Sequence, residues 1–370
     1  MKRKRIDTPR PYQVNNKKLT TDKDGNFIAP NGTHLKNWII EKTIQGGTFG
    51  KVIRCTQIGN SEVSVAIKTF KLKFTNCSKN EIKILKYLSE NDPQGKEKIV
   101  RYIDDFRFNG HACIVCNQLG MNLYQVMKHR GKYTSGLPLP LIRKFAKQLF
   151  KTLHFIHTLP EPIIHCDLKP ENICVKNNDG DEIHLIDFGI SLFESKIDFK
   201  KYKKYPVVQS IYYRAMEVLL ETPYEKSIDM WSVACILFEL HTGKPLFNRN
   251  TTSLVISEIV QIMGIPPNEL VDSSPISSKY FKKSKDSNWV LINNLKKETD
   301  KKMTPDNNLS TSLITLLNVN YGGPNGDWKY EFGHSLKDYQ EFMELLKGIL
   351  KYNPQERISA FDALQTDFCN

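Results

Sequence analysis

The apolar positions of this chain recur with two periods. Short runs rich in β-branched and aromatic residues, Trp38 to Ile44, Ile53 to Cys55, Val63 to Phe70 and Ala112 to Cys116, predict strands. Between the last two, Ile82, Leu85 and Leu88 share one face of a predicted helix that Glu81 opens. Ile142, Phe145, Leu149, Leu153 and Ile156 keep helical spacing within Pro140 to His157, which predicts a core helix. The stretch Ile228 to Leu240 is apolar on nearly every face and predicts a deeply buried helix. Asp229 inside it then requires hydrogen-bond partners. Phe342 to Leu350 and Ser359 to Leu364 read as closing helices. The first two runs flank Gln45-Gly46-Gly47-Thr48-Phe49-Gly50, a hairpin whose tip can approach phosphate closely because glycine has no Cβ. A dinucleotide site would need a helix directly after these glycines, yet Lys51 to Cys55 continues as strand.

Candidate chemistry concentrates between Ile163 and Gly189. Three apolar runs, Ile163-Ile164, Ile173-Cys174-Val175 and Ile183 to Ile186, read as buried strands feeding two tight turns that carry Asp167, Lys169, Asn172 and Asp187. Phosphoryl transfer offers the protein little covalent work. It demands positioning, with cations held by carboxylate and amide oxygens against a dispersed negative charge. Asp187 and Asn172 suit Mg2+, Lys169 suits a phosphate oxygen, and Asp167 suits an incoming hydroxyl. Either turn alone also fits Asp and Asn chosen for turn propensity. The pair, at this spacing, points to chemistry.

His165-Cys166-Asp167-Leu168-Lys169-Pro170-Glu171-Asn172 followed by Asp187-Phe188-Gly189 resembles the catalytic and metal-binding loops of eukaryotic protein kinases. The glycine-rich hairpin, Val65-Ala66-Ile67-Lys68 and Glu81 precede them in that family's order. The resemblance covers about residues 36–370 and implies an α+β, bilobal protein kinase fold. Its parts would be a flexible basic N-terminal tail at 1–35, in which Asp24-Gly25-Asn26-Phe27 could pack a short hairpin onto the next unit, a small β-rich N-lobe with the hinge at 36–119, and a larger, mainly helical C-lobe at 120–370 with a lysine-rich insert at about 270–335. ATP and Mg2+ are the implied cofactors. The implied catalytic residues are Asp167, Lys169, Lys68 and Glu81, with Lys68 on the α and β phosphates and Glu81 orienting it. Ile44, Gly46, Gly47, Gly50, Val52, Ala66, Lys68, Cys116, Asn117 and Leu119 would hold the nucleotide, and Asn172 and Asp187 the metal. Gln45 stands where the family places its first glycine, so an altered loop or weaker nucleotide affinity is expected. Glu217 and Arg357 resemble a structural ion pair.

Within the family, Cys166 in place of the common arginine, Gln209-Ser210-Ile211-Tyr212-Tyr213-Arg214-Ala215 and Met121-Asn122-Leu123-Tyr124 resemble the DYRK kinases of the CMGC group. Asp22 to Ile28 and Lys279-Tyr280-Phe281 resemble the neighbouring CLK (LAMMER) kinases, and the chain is placed in the DYRK/CLK branch. Serine/threonine specificity, with tyrosine phosphorylated in cis, is what that placement implies. The Tyr-x-Tyr pair of DYRK kinases is incomplete here, since Val207 replaces its second tyrosine. Activity without activation-segment phosphorylation is the expectation. A catalytically silent scaffold is the alternative, suggested by Gln45, Met216 and Val207 and opposed by the intact Lys68, Glu81, Asp167, Asn172 and Asp187.

Composition narrows the surroundings. A net charge of +13 over 370 residues points to acidic partners or to a lysine-rich solvated surface. Arg214 and the lysines at 196, 200, 201, 203 and 204 suggest acidic or phosphorylated protein substrates, and nucleic acid could bind the same basic surface. The eight cysteines lack the spacing of a secreted scaffold and read as reduced, intracellular thiols. Cys113-x-x-Cys116 has no second pair to complete a zinc site. There is no membrane-spanning run and no signal-peptide core. A monomer in the nucleus or cytoplasm is expected, and Lys2-Arg3-Lys4-Arg5 can serve as an import signal or as solvated charge.

Overall fold

The computed structural model describes residues 20–130, 136–178, 180–196, 206–292, 308–324 and 331–370. These fall into two compact units, one of residues up to Ser78 with Ile103–Gln118, the other of Lys79–Tyr102 with Leu119–Asn370. The class is α+β: the first unit is rich in strands and the second mainly helical.

The first unit is built on a six-stranded sheet. Its strands are β3 (His34–Leu35), β4 (Trp38–Gly46), β5 (Gly50–Gln57), β6 (Asn60–Phe70), β8 (His111–Asn117) and β7 (Tyr102–Phe108), in that spatial order. Alternation along the strands turns Ile40, Ile53, Cys55, Val65, Ile67, Cys113 and Val115 into one core. Each such side chain, fully buried, contributes about 1.5–3 kcal/mol. The opposite face carries Val52, Lys68 and Ile114 in one cross-strand row, and Ala66 and Cys116 in the next. Cys113 and Cys116 thus lie on opposite faces of β8 and cannot share a metal.

Residues 20–35, assigned by sequence to a flexible tail apart from a short hairpin at Asp24 to Phe27, form strands, and Phe27 and Leu35 join this core. β1 (Thr20–Thr21) pairs with β2 (Phe27–Ile28), and β3 pairs with β4. Phe27 packs edge-on against Phe108 at 5.8 Å and His111 at 5.5 Å. His111 in turn bonds Phe70 O at 2.8 Å and Thr21 Oγ1 at 3.0 Å. Phe27 and Leu35 are its two buried anchors, its other described residues being half-buried or exposed. The basic cluster at 2–5 lies outside the described residues.

The second unit begins inside helix α1 (Thr75–Asn91) rather than at residue 120. The cause is backbone pairing: Val100 N–H donates to Leu185 O at 2.9 Å and Leu185 N–H to Lys98 O at 2.8 Å, while Asn80 Nδ2 donates to Ser191 O at 2.9 Å. Lys98 also reaches Glu182 at 2.9 Å, and that contact holds the Glu182 carboxyl down at about 2. Helices α2 (Leu123–Arg130) and α3 (Leu139–Thr158) follow, then the short α4 (Met216–Leu219), α5 (Ser227–Thr242) and α6 (Thr252–Met263). α5 is buried along its length, as its sequence predicts, and ends on Gly243 in the left-handed region. Of the lysine-rich insert, a hairpin of Phe281–Lys283 with Trp289–Leu291 is described, while lysines 296, 297, 301 and 302 lie outside the described residues. Closing helices Leu336–Ile349 and Ala360–Leu364 each start on a serine–aspartate capping box. Among the described residues no helix is long and apolar enough to cross a membrane.

Candidate active site

Two small antiparallel ladders in the second unit fix the turns that carry the candidate residues. β9 (Ile163–Ile164) pairs with β12 (Leu192–Phe193), and β10 (Ile173–Val175) with β11 (Ile183–Leu185). Ile186 N–H donates to Asn172 O at 2.9 Å, one rung beyond that second ladder. Asn172 therefore stands beside Ile186, with Asp187 next in the chain.

The first turn is held from beneath by Asp229 on α5. Its carboxylate, fully buried, accepts from His165 N–H at 2.8 Å, Cys166 N–H at 3.0 Å and His157 Nε2 at 3.0 Å. Cys166 O accepts from Gln209 N–H at 2.8 Å. These bonds hold Cys166 at φ +67°, a left-handed conformation that costs a non-glycine residue about 1–3 kcal/mol. Asp187 sits at φ +63° in the second turn. His165 joins the two turns: Asp167 N–H donates to its Nδ1 at 3.2 Å, so its Nε2 bears the hydrogen and donates to Ile186 O at 3.0 Å. Burial pushes the Cys166 thiol well above its ordinary range, so this residue acts as packing.

Both oxygens of Asp167 are engaged. Oδ2 accepts from Lys169 Nζ at 2.7 Å and Asn172 Nδ2 at 3.2 Å, and Oδ1 accepts from Ser210 Oγ at 2.8 Å. Asn172 Nδ2 also donates to Asp167 O at 2.8 Å, which leaves its Oδ1 as a hard oxygen donor beside Asp187. Lys169 reaches Ser210 Oγ at 3.2 Å. Asp167, Lys169 and Asn172 are thus brought together as the spacing anticipates, and Ser210 joins them unannounced. No local periodicity links it to an aspartate 43 positions away.

Ser210 belongs to a segment with its own scaffold. Gln209, buried at φ +66°, donates from Nε2 to Ile228 O at 2.9 Å and Ser232 Oγ at 2.8 Å, and its Oε1 accepts from Ala215 N–H at 3.0 Å. Arg214 donates to Gln209 O at 2.7 and 3.2 Å and to Val208 O at 3.0 Å. Tyr213 OH donates to Glu239 Oε2 at 2.6 Å. Burial, with the charge of Glu171 adding to it, pushes the Glu239 carboxyl up to about 7. Glu171 Oε2 is buried without a hydrogen-bond partner among the described residues. Glu217 and Arg357 form the buried ion pair anticipated from sequence, at 2.8 and 3.3 Å, and Arg357 also caps Ser227 O and Lys351 O. Tyr205 and lysines 200, 201, 203 and 204 lie outside the described residues.

The nucleotide candidates of the first unit form a separate set. The tip of the β4–β5 hairpin closes with Gly47 N–H donating to Gly50 O at 2.8 Å, and a register shift precedes Gln45, which pairs with Val52. A Cβ on Gly50 would lie 1.9 Å from Thr69 O, whereas a Cβ on Gly46 would meet open space. Only the first is required by the sheet itself. Lys68 Nζ lies 5.9 Å from the Phe49 ring and 5.1 Å from the Phe70 ring, within cation–π reach. Val52, Ala66, Lys68 and Cys116 share the face opposite the core, Ile44 is exposed, and Asn117 ends β8 opposite Val65. Glu81, buried on α1, and Leu119 belong to the second unit.

Comparison with known proteins gives a consistent picture. The protein kinase domain family matches residues 38–369. Serine/threonine-protein kinase ppk5 of Schizosaccharomyces pombe is 34% identical over 361 residues, 97% of this chain and 39% of that protein. Dual specificity tyrosine-phosphorylation-regulated kinase 2 of Drosophila melanogaster is 32% identical over 349 residues, 94% of this chain and 43% of that protein. The chain spans about two fifths of the length of these relatives.

Proposed function

Since this chain belongs to the protein kinase family, we propose that it transfers the γ-phosphoryl group of ATP to serine and threonine hydroxyls of proteins, with tyrosine as a further acceptor in cis. The observation that carries this reading is the Asp167 carboxylate, held on both oxygens by Ser210, Lys169 and Asn172 above a loop tied to Asp229. An acceptor hydroxyl placed at Asp167 would give up its proton there as its oxygen attacks phosphorus. Lys169 and Lys68 would each neutralise phosphate oxygens. Asn172 Oδ1 and the Asp187 carboxylate would hold Mg2+, which supplies charge neutralisation on the phosphates when bound. This assembly favours catalysis over the silent-scaffold alternative.

Two features of the site support a narrower substrate class. Gln209 O, one residue before Ser210, is occupied by Arg214 and offers nothing to a substrate N–H. Proline, which has no N–H, loses least by following the acceptor residue. The buried Glu171 Oε2, without a partner among the described residues, favours a basic substrate residue near Asp167 over the acidic or phosphorylated one expected from the basic surface.

The test is transfer from Mg-ATP to a degenerate serine, threonine and tyrosine peptide library, with sites mapped by mass spectrometry. Asp167→Asn should slow transfer by about 10²- to 10⁴-fold, the range for loss of a general base. Mapped sites should show proline after the acceptor and arginine or lysine before it. Undiminished transfer by the variant would remove Asp167 from its role. ATP binding without transfer by the wild type would move the reading to a scaffold.

A further inference from the structure

In the first unit, the second strand of the glycine-rich hairpin is tied down where the first is not. β5 and β6 pair as far as Gly50 with Phe70, and Lys71 N–H, donating to Phe49 O at 2.8 Å, adds one rung beyond that pair. Gly50 sits so close to β6 that a Cβ on it would lie 1.9 Å from Thr69 O. β6 then gives way to one turn of 3₁₀ helix, Leu72–Phe74, in which Phe74 N–H donates to Lys71 O at 2.9 Å. That turn sets the Phe74 ring edge-on against the Phe49 ring, with centroids 5.2 Å apart and planes at 70°. Phe49 is therefore gripped twice, by its carbonyl and by its ring.

The rings continue to the candidate phosphate lysine. Lys68 and Phe70 alternate onto the same face of β6, and Lys68 Nζ lies 5.1 Å from the Phe70 ring and 5.9 Å from the Phe49 ring. Phe49 thus stands between Phe74 on one contact and Lys68 on another. Neither Phe49 nor Phe74 belongs to the core of the unit, and both are half-buried. An edge-on aromatic pair is worth more than the area it buries, so outside a core the pair itself is what such rings contribute. Lys42 to Thr48, by contrast, are exposed. The grip begins at Phe49 and extends toward β6.

We propose that Phe74 is a positioning residue for the phosphate end of the nucleotide site, acting through Phe49. It fixes the second half of the hairpin tip beside Lys68, so that the exposed half, Gln45 to Thr48, opens and closes about Phe49. The Lys68 ammonium then keeps its place against the Phe49 and Phe70 rings whether the tip is open or closed. Freed from Phe74, the Phe49 ring gains rotamers and the rung to Lys71 weakens. Ordering the whole tip is then left to the moment of binding, which lowers affinity. Asn117, at the end of β8, takes no part in the clamp, so the loss falls on phosphate rather than on adenine. This consequence for nucleotide rests on the kinase reading, but the clamp itself does not.

The experiment compares the full chain with Phe49→Ala, Phe74→Ala, the double variant and Phe74→Tyr, which keeps the ring. Amide exchange is followed first, without nucleotide. Exchange at the Lys71 amide should quicken in either alanine variant, no further in the double variant, and not in Phe74→Tyr. Binding of adenosine and of a non-hydrolysable ATP analogue with Mg2+ is then measured by calorimetry. Affinity for the analogue should fall about two- to tenfold in either alanine variant, the range for one aromatic pair, with no further fall in the double variant and recovery in Phe74→Tyr. Affinity for adenosine should not change. Losses that add in the double variant, a Lys71 amide indifferent to Phe74→Ala, or an equal loss for adenosine would overturn the proposal, since each makes Phe74 ordinary packing. A wild type that binds neither ligand would overturn the kinase reading and the positioning role with it, while the exchange data would still report on the clamp.

Discussion

The catalytic loop and the glycine-rich hairpin are both polar turns between strands, yet they are built on opposite principles. The loop from His165 to Asn172 is fixed at nearly every polar atom: Asp229 holds two of its backbone N–H groups, His165 links it to Ile186, and Ser210, Lys169 and Asn172 surround Asp167. The hairpin tip has two backbone bonds, Gly47 N–H to Gly50 O and Lys71 N–H to Phe49 O, and exposed residues from Lys42 to Thr48. Reacting atoms tolerate little misplacement, so their support is over-determined. A turn that is to admit and release a nucleotide, as proposed for this hairpin, needs freedom of its backbone instead. Gln45, where the resemblance would place a glycine, lies in this exposed stretch.

Removing the brace should produce the largest effect. In Asp229→Asn one oxygen becomes an amide donor facing the N–H of His165 or Cys166, a buried donor–donor contact in place of a bond. Breaking a buried, fully partnered carboxylate of this kind costs about 3–5 kcal/mol. Urea unfolding should show that loss, and transfer activity should fall with it because Cys166 is no longer held at φ +67°. Unchanged stability would mean that the loop does not depend on α5, and the contrast between the two turns would fail.

Glu239, beside the same loop, gives the comparison a pH axis. Its folded pKa of about 7 lies above the ordinary value of 4.5, so the folded state binds the proton more tightly than the unfolded state. Stability from this group is therefore present below about 4.5 and is lost as pH rises towards about 7. The loss amounts to about 3 kcal/mol at 1.36 kcal/mol per unit. Glu239→Gln keeps an acceptor for Tyr213 OH and should flatten the urea midpoint across that interval. A slope that persists in the variant would place the titration elsewhere.

Much of this site was legible because its chemistry lies in local spacing. Asp167, Lys169 and Asn172 occupy one turn, and the apolar runs around them announce the ladders that hold Asp187 nearby. What escaped the sequence is long-range or sparse. Ser210 meets Asp167 across 43 positions, and the grouping of residues 79–102 with the helical unit follows from strand-like pairing with Leu185. Residues 20–35 were legible only as far as the short hairpin at Asp24 to Phe27, because their two buried anchors, Phe27 and Leu35, are too far apart to form a pattern. The ring pair of Phe49 and Phe74 comes from the hairpin tip and from the turn after β6, so neither segment alone suggests it.

The glycines of the hairpin allow the smallest and sharpest comparison. Gly50→Ala must push its Cβ away from Thr69 O, a backbone atom of β6 that cannot rotate aside. Overpacking of that kind costs about 1–3 kcal/mol. Gly46→Ala meets open space and should change stability by less than about 0.5 kcal/mol, the usual range for a surface substitution. If nucleotide phosphates approach the tip closely, the Gly46 variant should still raise KM for ATP with kcat little changed, since it removes binding without touching Asp167. Thermal unfolding of both variants, followed by ATP titration of each, separates a glycine kept for the sheet from one kept for the ligand. Equal losses of stability, or an unchanged KM in Gly46→Ala, would leave Gly46 with no role that its neighbours do not share.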